Sequence, residues 1–365
     1  MNILYFIDHL RPDGTQFVLR QLVEGLATRG HEQMVVCLND SWDASLVHSL
    51  HKAGAQVRFV GRRALVTGIG LLRLWHWLRC GRFDVAVTLL FASDTIGRAL
   101  ARAAGVPRIV SSLRARNVHY TSWQRWLVRH TMCWADVVVI NSMYVRDFAV
   151  AEEGAPPDRI HVIPNGVYVG DYNTPLEQTT LRTEFGLPPD GWLVGSVGRL
   201  THQKGFDVLL VALSLLPHQD VHLLLIGTGE LETSLRALAA RLSLQKHVHF
   251  AGYRRDVPRL LGALDLYVHA ARFEGMPNAL LEAMAARCPI VASAVDGICE
   301  LIEDGVHGWV VPAENASGLA AAIQVAMSDP IEGQRRAAAA QQRVTSHFNI
   351  ESMVVAWEKV LMGGN

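Results

Sequence analysis

The chain has 365 residues, long for one hydrophobic core and suited to two domains of roughly 150–200 residues each. Half of its residues are hydrophobic and 19% are charged, which excludes a disordered chain. Formal net charge is zero, but residues 1–173 hold 19 Lys and Arg against 14 Asp and Glu, and the remainder 15 against 20, so the first half is expected to face something anionic.

The five cysteines, Cys37, Cys80, Cys133, Cys288 and Cys299, are scattered and form no Cys-x-x-Cys pair. That speaks against a disulfide framework or a zinc site and for a reducing compartment. No apolar run reaches the roughly 18 residues of a membrane span, and residues 1–8 read as a strand rather than a secretory leader. A cytoplasmic protein is expected, free or attached to the inner face of the cytoplasmic membrane.

Residues 2–8 read as a buried strand, 10–16 as a turn around Gly14, and 17–29 as a helix closed by Gly30. Residues 33–38 give the next strand. This is a βαβ opening, yet no Gly-x-Gly-x-x-Gly follows its first strand, which argues against a dinucleotide-dependent oxidoreductase. Further strands at 57–60, 85–90, 109–112 and 137–141 alternate with helical connections and imply a parallel, doubly wound sheet. Two connections, 71–83 (LLRLWHWLRCGRF) and 122–134 (SWQRWLVRHTMCW), place Trp, Leu and Arg at helical spacing. Such basic amphipathic helices suit the surface of an anionic membrane; the plainer alternative is core tryptophans with solvated arginines. Between them the loop 111–119 (SSLRARNVH) follows a strand, at the sheet edge where open α/β folds bind ligands. Arg114 in this loop is suited to an anionic group.

Residues 162–167 (VIPNGV) end the first half in a Pro-Asn-Gly turn, and the stretch from there to Asp190 is rich in Pro, Thr, Glu and Gly. The expected division is a first domain 1–172, a linker 173–189, a second domain 190–347 and a terminal amphipathic helix within 348–365. The second domain opens with a strand at 192–197 and the loop 198–207 (GRLTHQKGFD), next to the start of a helix near Phe206. Arg199, Lys204 and a helix N-terminus together suit a diphosphate. Gly227-Thr228-Gly229 is half a dinucleotide fingerprint with Glu232 at the third glycine position, a weak signal. Histidines 247, 249 and 269 show no metal-ligand spacing and read as core or surface residues.

An apolar strand at 264–270 runs into residues 271–286 (ARFEGMPNALLEAMAA), a glycine turn and then a helix with Pro277 at its start. This points free N–H groups and a positive dipole end above the sheet. Glu274 stands in the turn and Glu282 in the helix, about two and a quarter turns apart. One carboxylate at the mouth and one along the wall could each grip a diol. A helix-terminal charge plus a solvated Glu is the plainer alternative.

The segment Glu274-Gly275 through Glu282, followed by Pro289, Gly297, Glu300 and Gly305, resembles the donor-binding half of family 4 retaining glycosyltransferases of the GT-B fold. So do Gly198-Arg199-Leu200 with Gln203-Lys204-Gly205-Phe206-Asp207. The resemblance implies two Rossmann-like doubly wound domains facing across a cleft, the tail helix crossing back to the first. It implies transfer with retention from a nucleotide-diphosphate sugar, a UDP-sugar foremost, to a glycan acceptor, lipid-linked and belonging to bacterial surface polysaccharide synthesis. Arg199 and Lys204 would neutralise the diphosphate, with Gly275, Met276, Pro277 and Asn278 at the helix start and Gly14 approaching it from the first domain. Glu274 would hold the transferred sugar, Glu282 the ribose, and Tyr253 and Arg254 the base. His119 is the nearest match to a histidine that contacts the sugar, with Arg114 and Asn117 on the acceptor side. No cofactor, metal or nucleic acid is implied. A nucleotide-sugar epimerase of the same fold and a non-catalytic sugar-nucleotide-binding module are the alternatives.

Overall fold

Strands buried on both faces read as unbroken apolar runs, and the centre of each sheet is built that way. In the computed structural model, which describes residues 1–172, 176–217 and 220–364, the chain divides into two units. Met1–Gly166 with Ile350–Asn365 forms one and Val167–Asn349 the other. The first holds seven parallel strands: β1 (Asn2–Ile7), β2 (Glu32–Cys37), β3 (Gln56–Phe59), β4 (Val85–Leu89), β5 (Arg108–Leu113), β6 (Val137–Ile140) and β7 (Ile160–Val162). Their order is β3-β2-β1-β4-β5-β6-β7. Every residue of β4 and β6 is buried.

The first helix, Gly14–Ala27, begins three residues before the apolar period does, because the Asp13 carboxylate caps it by accepting from the Gly14 N–H at 2.8 Å. Its Leu19, Leu22, Val23 and Leu26 pack with Met353, Val354 and Trp357 of the terminal helix Ile350–Leu361, which is thereby part of the first unit's core.

The second unit holds six parallel strands: β8 (Trp192–Val197), β9 (Val221–Ile226), β10 (Val248–Gly252), β11 (Leu266–His269), β12 (Ile290–Ala294) and β13 (Trp309–Pro312). Their order is β10-β9-β8-β11-β12-β13. The winding reverses between β8 and β11, the switch point at which doubly wound sheets bind ligands. Of the stretch expected as a linker, residues 173–175 lie outside the described residues. From Leu176 on it is built into the second unit. Helix Gln178–Glu184 sinks Leu181 into that unit's core beside Leu187, and Gln178 Nε2 donates to Asp265 Oδ1 at 2.9 Å. Polar composition concealed the single apolar anchor of this helix.

Candidate active site

The loop after β8 is shaped by close backbone approach. Gly205 has φ +62°, and a Cβ there would stand 2.0 Å from the Ala270 carbonyl oxygen, so glycine alone lets this loop lie against the end of β11. The turn sends Lys204 across Gly198, where a Cβ would meet the lysine stem at 3.2 Å. Lys204 Nζ then donates to Glu274 Oε1 at 2.5 Å, and Gln203 Nε2 donates to Glu274 Oε2 at 3.3 Å.

Glu274 is only 7% exposed. Burial raises its pKa, but the charge and hydrogen bond of Lys204, with His269 close by, outweigh that and hold it at about 2. An ionised carboxylate and an ammonium thus form a closed pair at the switch point. An anion arriving at Lys204 competes directly with Glu274.

Glu274 leads through Gly275 and the buried Met276 to Pro277, the extended residue that opens helix Asn278–Ala285. No side chain caps this helix. Glu282, half-buried, lies on it, and both Glu282 and Glu274 act on the buried Tyr267 phenol, whose pKa burial and then these two charges push up. The two carboxylates singled out by their spacing therefore flank one buried ring. Arg199 is exposed at the mouth of the loop.

Arg272 was passed over in sequence and fixes the same loop. Its Nη1 and Nη2 donate to the Asp207 carboxylate at 2.8 and 2.7 Å, Nη1 also to the His202 carbonyl at 2.8 Å, and Nε to Glu314 at 2.9 Å. A bidentate arginine of this kind sets orientation as well as energy. Tyr253 is exposed after β10. The Arg254 guanidinium, by contrast, is engaged by Asp256 (2.7 and 2.8 Å) and by Glu184, and these hydrogen bonds push its pKa up. Arg254 serves as a clamp between loop and helix, which leaves Tyr253 as the exposed ring of that pair.

In the first unit Gly14 is the first residue of its helix. The loop after β5 is anchored nearly throughout. Arg114 hydrogen-bonds Asn165, Asn141 Nδ2 donates to the Arg114 carbonyl at 3.0 Å, and the Arg116 guanidinium sits 4.7 Å over the Tyr144 ring. Burial lowers the Arg114 pKa to about 10, so it stays charged at neutral pH. Asn117 Nδ2 donates to Glu153 Oε1 at 2.7 Å. His119 is exposed, edge-on to Tyr120. Arg114 and Asn117 are therefore taken up in shaping the loop, and His119 is the one of the three that it displays. Glu153 is buried, and burial raises its pKa to about 7 against the pull of the Asn117 hydrogen bond.

The comparisons with known proteins agree with this architecture. The family described as Glycosyl transferases group 1 matches residues 177–343, and Glycosyltransferase Family 4 matches residues 12–170. The lipopolysaccharide core biosynthesis glycosyltransferase LpsE of Rhizobium meliloti is 32% identical over 49% of this chain and 52% of its own. The UDP-Gal:alpha-D-GlcNAc-diphosphoundecaprenol alpha-1,3-galactosyltransferase of Escherichia coli is 26% identical over 66% of this chain and 65% of its own. The matched stretches thus span about half to two thirds of these relatives. Among solved structures, Anabaena HepE in complex with UDP and glucose superposes with a TM-score of 0.88 at 22% identity over 99% of both chains. WaaG, described as a glycosyltransferase involved in lipopolysaccharide biosynthesis, gives 0.77 at 21% identity over 99% of this chain and all of its own (100%). Two parallel Rossmann-like sheets, each with its winding reversed at the centre, and family matches over both halves lead to one assignment: the chain belongs to the family 4 glycosyltransferases, of GT-B fold.

Proposed function

We propose that the protein is a retaining, metal-independent hexosyltransferase. It would move a sugar from a UDP-sugar to a hydroxyl of a lipid-linked glycan in the assembly of a bacterial surface polysaccharide (exopolysaccharide, capsule or lipopolysaccharide). The observation that carries this reading is the Lys204–Glu274 pair, set with Arg199 and an uncapped helix at the strand ends of the switch point. The UDP and UDP-glucose held by HepE, and the galactosyl donor in the name of the Escherichia coli relative, support UDP as the nucleotide.

In the reaction the bond from the sugar C1 to the diphosphate oxygen breaks. Positive charge spreads over C1 and the ring oxygen while the leaving phosphate gains negative charge. Lys204, Arg199 and the first N–H groups of helix Asn278–Ala285 stabilise that anion. They supply the charge neutralisation that a metal would otherwise provide. Glu274 accepts from sugar hydroxyls and Glu282 from the ribose. The acceptor oxygen attacks C1 on the face that the phosphate leaves, and its proton passes to a phosphate oxygen.

The membrane part of the reading rests on the first unit. Its helices Ile69–Gly81 and Ser122–Thr131 expose Leu72 (71%), Trp123 (58%) and Trp126 (57%). The α-helix Arg98–Ala104 bridges them, since Trp75 Nε1 donates to the Ala103 carbonyl at 3.5 Å and Arg98 Nη1 to the Val128 carbonyl at 3.2 Å. Exposed Arg73, Arg79 and Arg129 stand among these rings. Tryptophan at headgroup depth beside arginine fits an anionic bilayer surface. Among the described residues no helix is long and apolar enough to cross a membrane, so the contact would be peripheral.

Lys204→Ala and Glu274→Gln are each expected to lower turnover with a UDP-sugar by about 10²-fold or more. Near-normal turnover in either would refute this use of the site. Flotation with phosphatidylglycerol vesicles should be strong at low salt, weaken at high salt and be abolished in Trp123→Ser/Trp126→Ser. Equal flotation of that variant would remove the aromatic face from the account.

A further inference from the structure

Beneath Glu274 lies a layer that the reaction scheme does not use. Tyr267 and His269 are two residues apart on β11, so both project from the same face of the strand. Both are buried, His269 to 2% exposure. The Tyr267 hydroxyl lies 2.9 Å from His269 Nδ1. Burial keeps this phenol protonated. The ionised Glu274 carboxylate facing the other ring nitrogen favours the tautomer in which Nδ1 accepts the phenol proton. A neutral imidazole that accepts at Nδ1 carries its proton on Nε2. Nε2 is the nitrogen that faces Glu274 Oε1, at 3.4 Å. Burial and then the Lys204 charge lower the His269 pKa, against the pull of Glu274, so the ring is neutral at pH 7.

The 3.4 Å separation is long, and no aligned hydrogen bond is formed. In the same geometry Lys204 holds Oε1 at 2.5 Å. We infer that Tyr267 and His269 form a one-way hydrogen-bond relay from the buried phenol to Glu274, and that His269 is the positioning residue which takes over the Glu274 carboxylate when a diphosphate draws Lys204 away. This deepens the reading of the site given above and rests on it. Without the relay, Glu274 loses its ammonium partner as the donor binds and keeps only the long Gln203 contact, at 3.3 Å, to aim it at the sugar. His269 touches neither nucleotide nor sugar in this scheme; it acts through Glu274.

Two readouts on the full-length protein test this. Nitrogen-15 NMR of labelled histidine should show His269 neutral with its proton on Nε2 at pH 7, and Tyr267→Phe should erase that single-tautomer signature. An Nδ1-protonated ring or an imidazolium in the wild type would overturn the relay whether or not a donor is ever turned over. In UDP-sugar turnover, His269→Leu should lower kcat about 10-fold or more while the Kd for UDP alone stays within about twofold. His269→Gln, which keeps a donor near the Nε2 position, should recover most of the loss. A merely structural role would weaken UDP binding and melting temperature together and would not be rescued by glutamine. If Glu274→Gln lowers turnover and His269→Leu does not, the relay falls and the site reading stands. If the tautomer is as expected but Lys204→Ala and Glu274→Gln leave turnover intact, the relay stands as a structural feature and the site reading falls.

Discussion

At the scale of single residues, two buried carboxylates are pushed in opposite directions by their surroundings. Glu274 meets an ammonium and is held ionised at about pH 2, whereas Glu153 meets an amide and titrates at about 7. The folded Glu153 pKa lies above its unfolded value of about 4.3, so the fold favours its neutral form. Stability from this group is complete below about pH 4 and is lost as pH rises through 7. Glu153→Gln keeps an acceptor for Asn117 and removes the buried charge. It is expected to raise urea stability at pH 8 and to leave it unchanged near pH 4. Equal stability at pH 8 would place the charge in water instead. Glu274 and Lys204 were legible in sequence because the motifs that hold them resemble those of a known family. His269 and Glu153 were not. One stands inside an apolar strand that reads as core, the other in a Glu152-Glu153-Gly154 run that reads as surface, and burial of a single polar group leaves no periodic trace.

The elements were more legible than their partners. Strand runs such as 85–90 and 137–141 announced a parallel sheet because strands buried on both faces lack alternation, and the structure forms β4 and β6 there. The tail was legible as an amphipathic helix, but its value lies in what it covers. Trp357 is among the largest fully buried side chains and packs against Leu19, Leu22 and Val23 in the first unit. Trp357→Ala is expected to cost about 3–5 kcal/mol of that unit's stability. The Tyr and Trp environments in the second unit should stay native at denaturant concentrations that unfold the first. A single unchanged unfolding transition would contradict the placement. The stretch from Leu176 to Gly191 was the least legible, since Thr, Glu and Pro dominate its composition while a few scattered residues, Leu176, Leu181, Phe185 and Leu187, tie it to the second core.

Across the whole molecule, the sequence divides its labour between two units of like topology. The first carries the exposed tryptophans and the excess of basic residues. The second carries the buried acid–base pair, the arginine-clamped loop and the uncapped helix. The central claim is that this second site takes the diphosphate and ribose of a UDP-sugar. The most direct measurement is a thermal-shift comparison of the full chain against UDP-, GDP-, ADP- and dTDP-sugars, with Glu282→Ala and Lys204→Ala alongside. The account predicts a selective upward shift with a UDP-sugar that is lost in Glu282→Ala and weakened in Lys204→Ala. No shift with any sugar nucleotide in folded protein, or a shift that both variants retain in full, would contradict it.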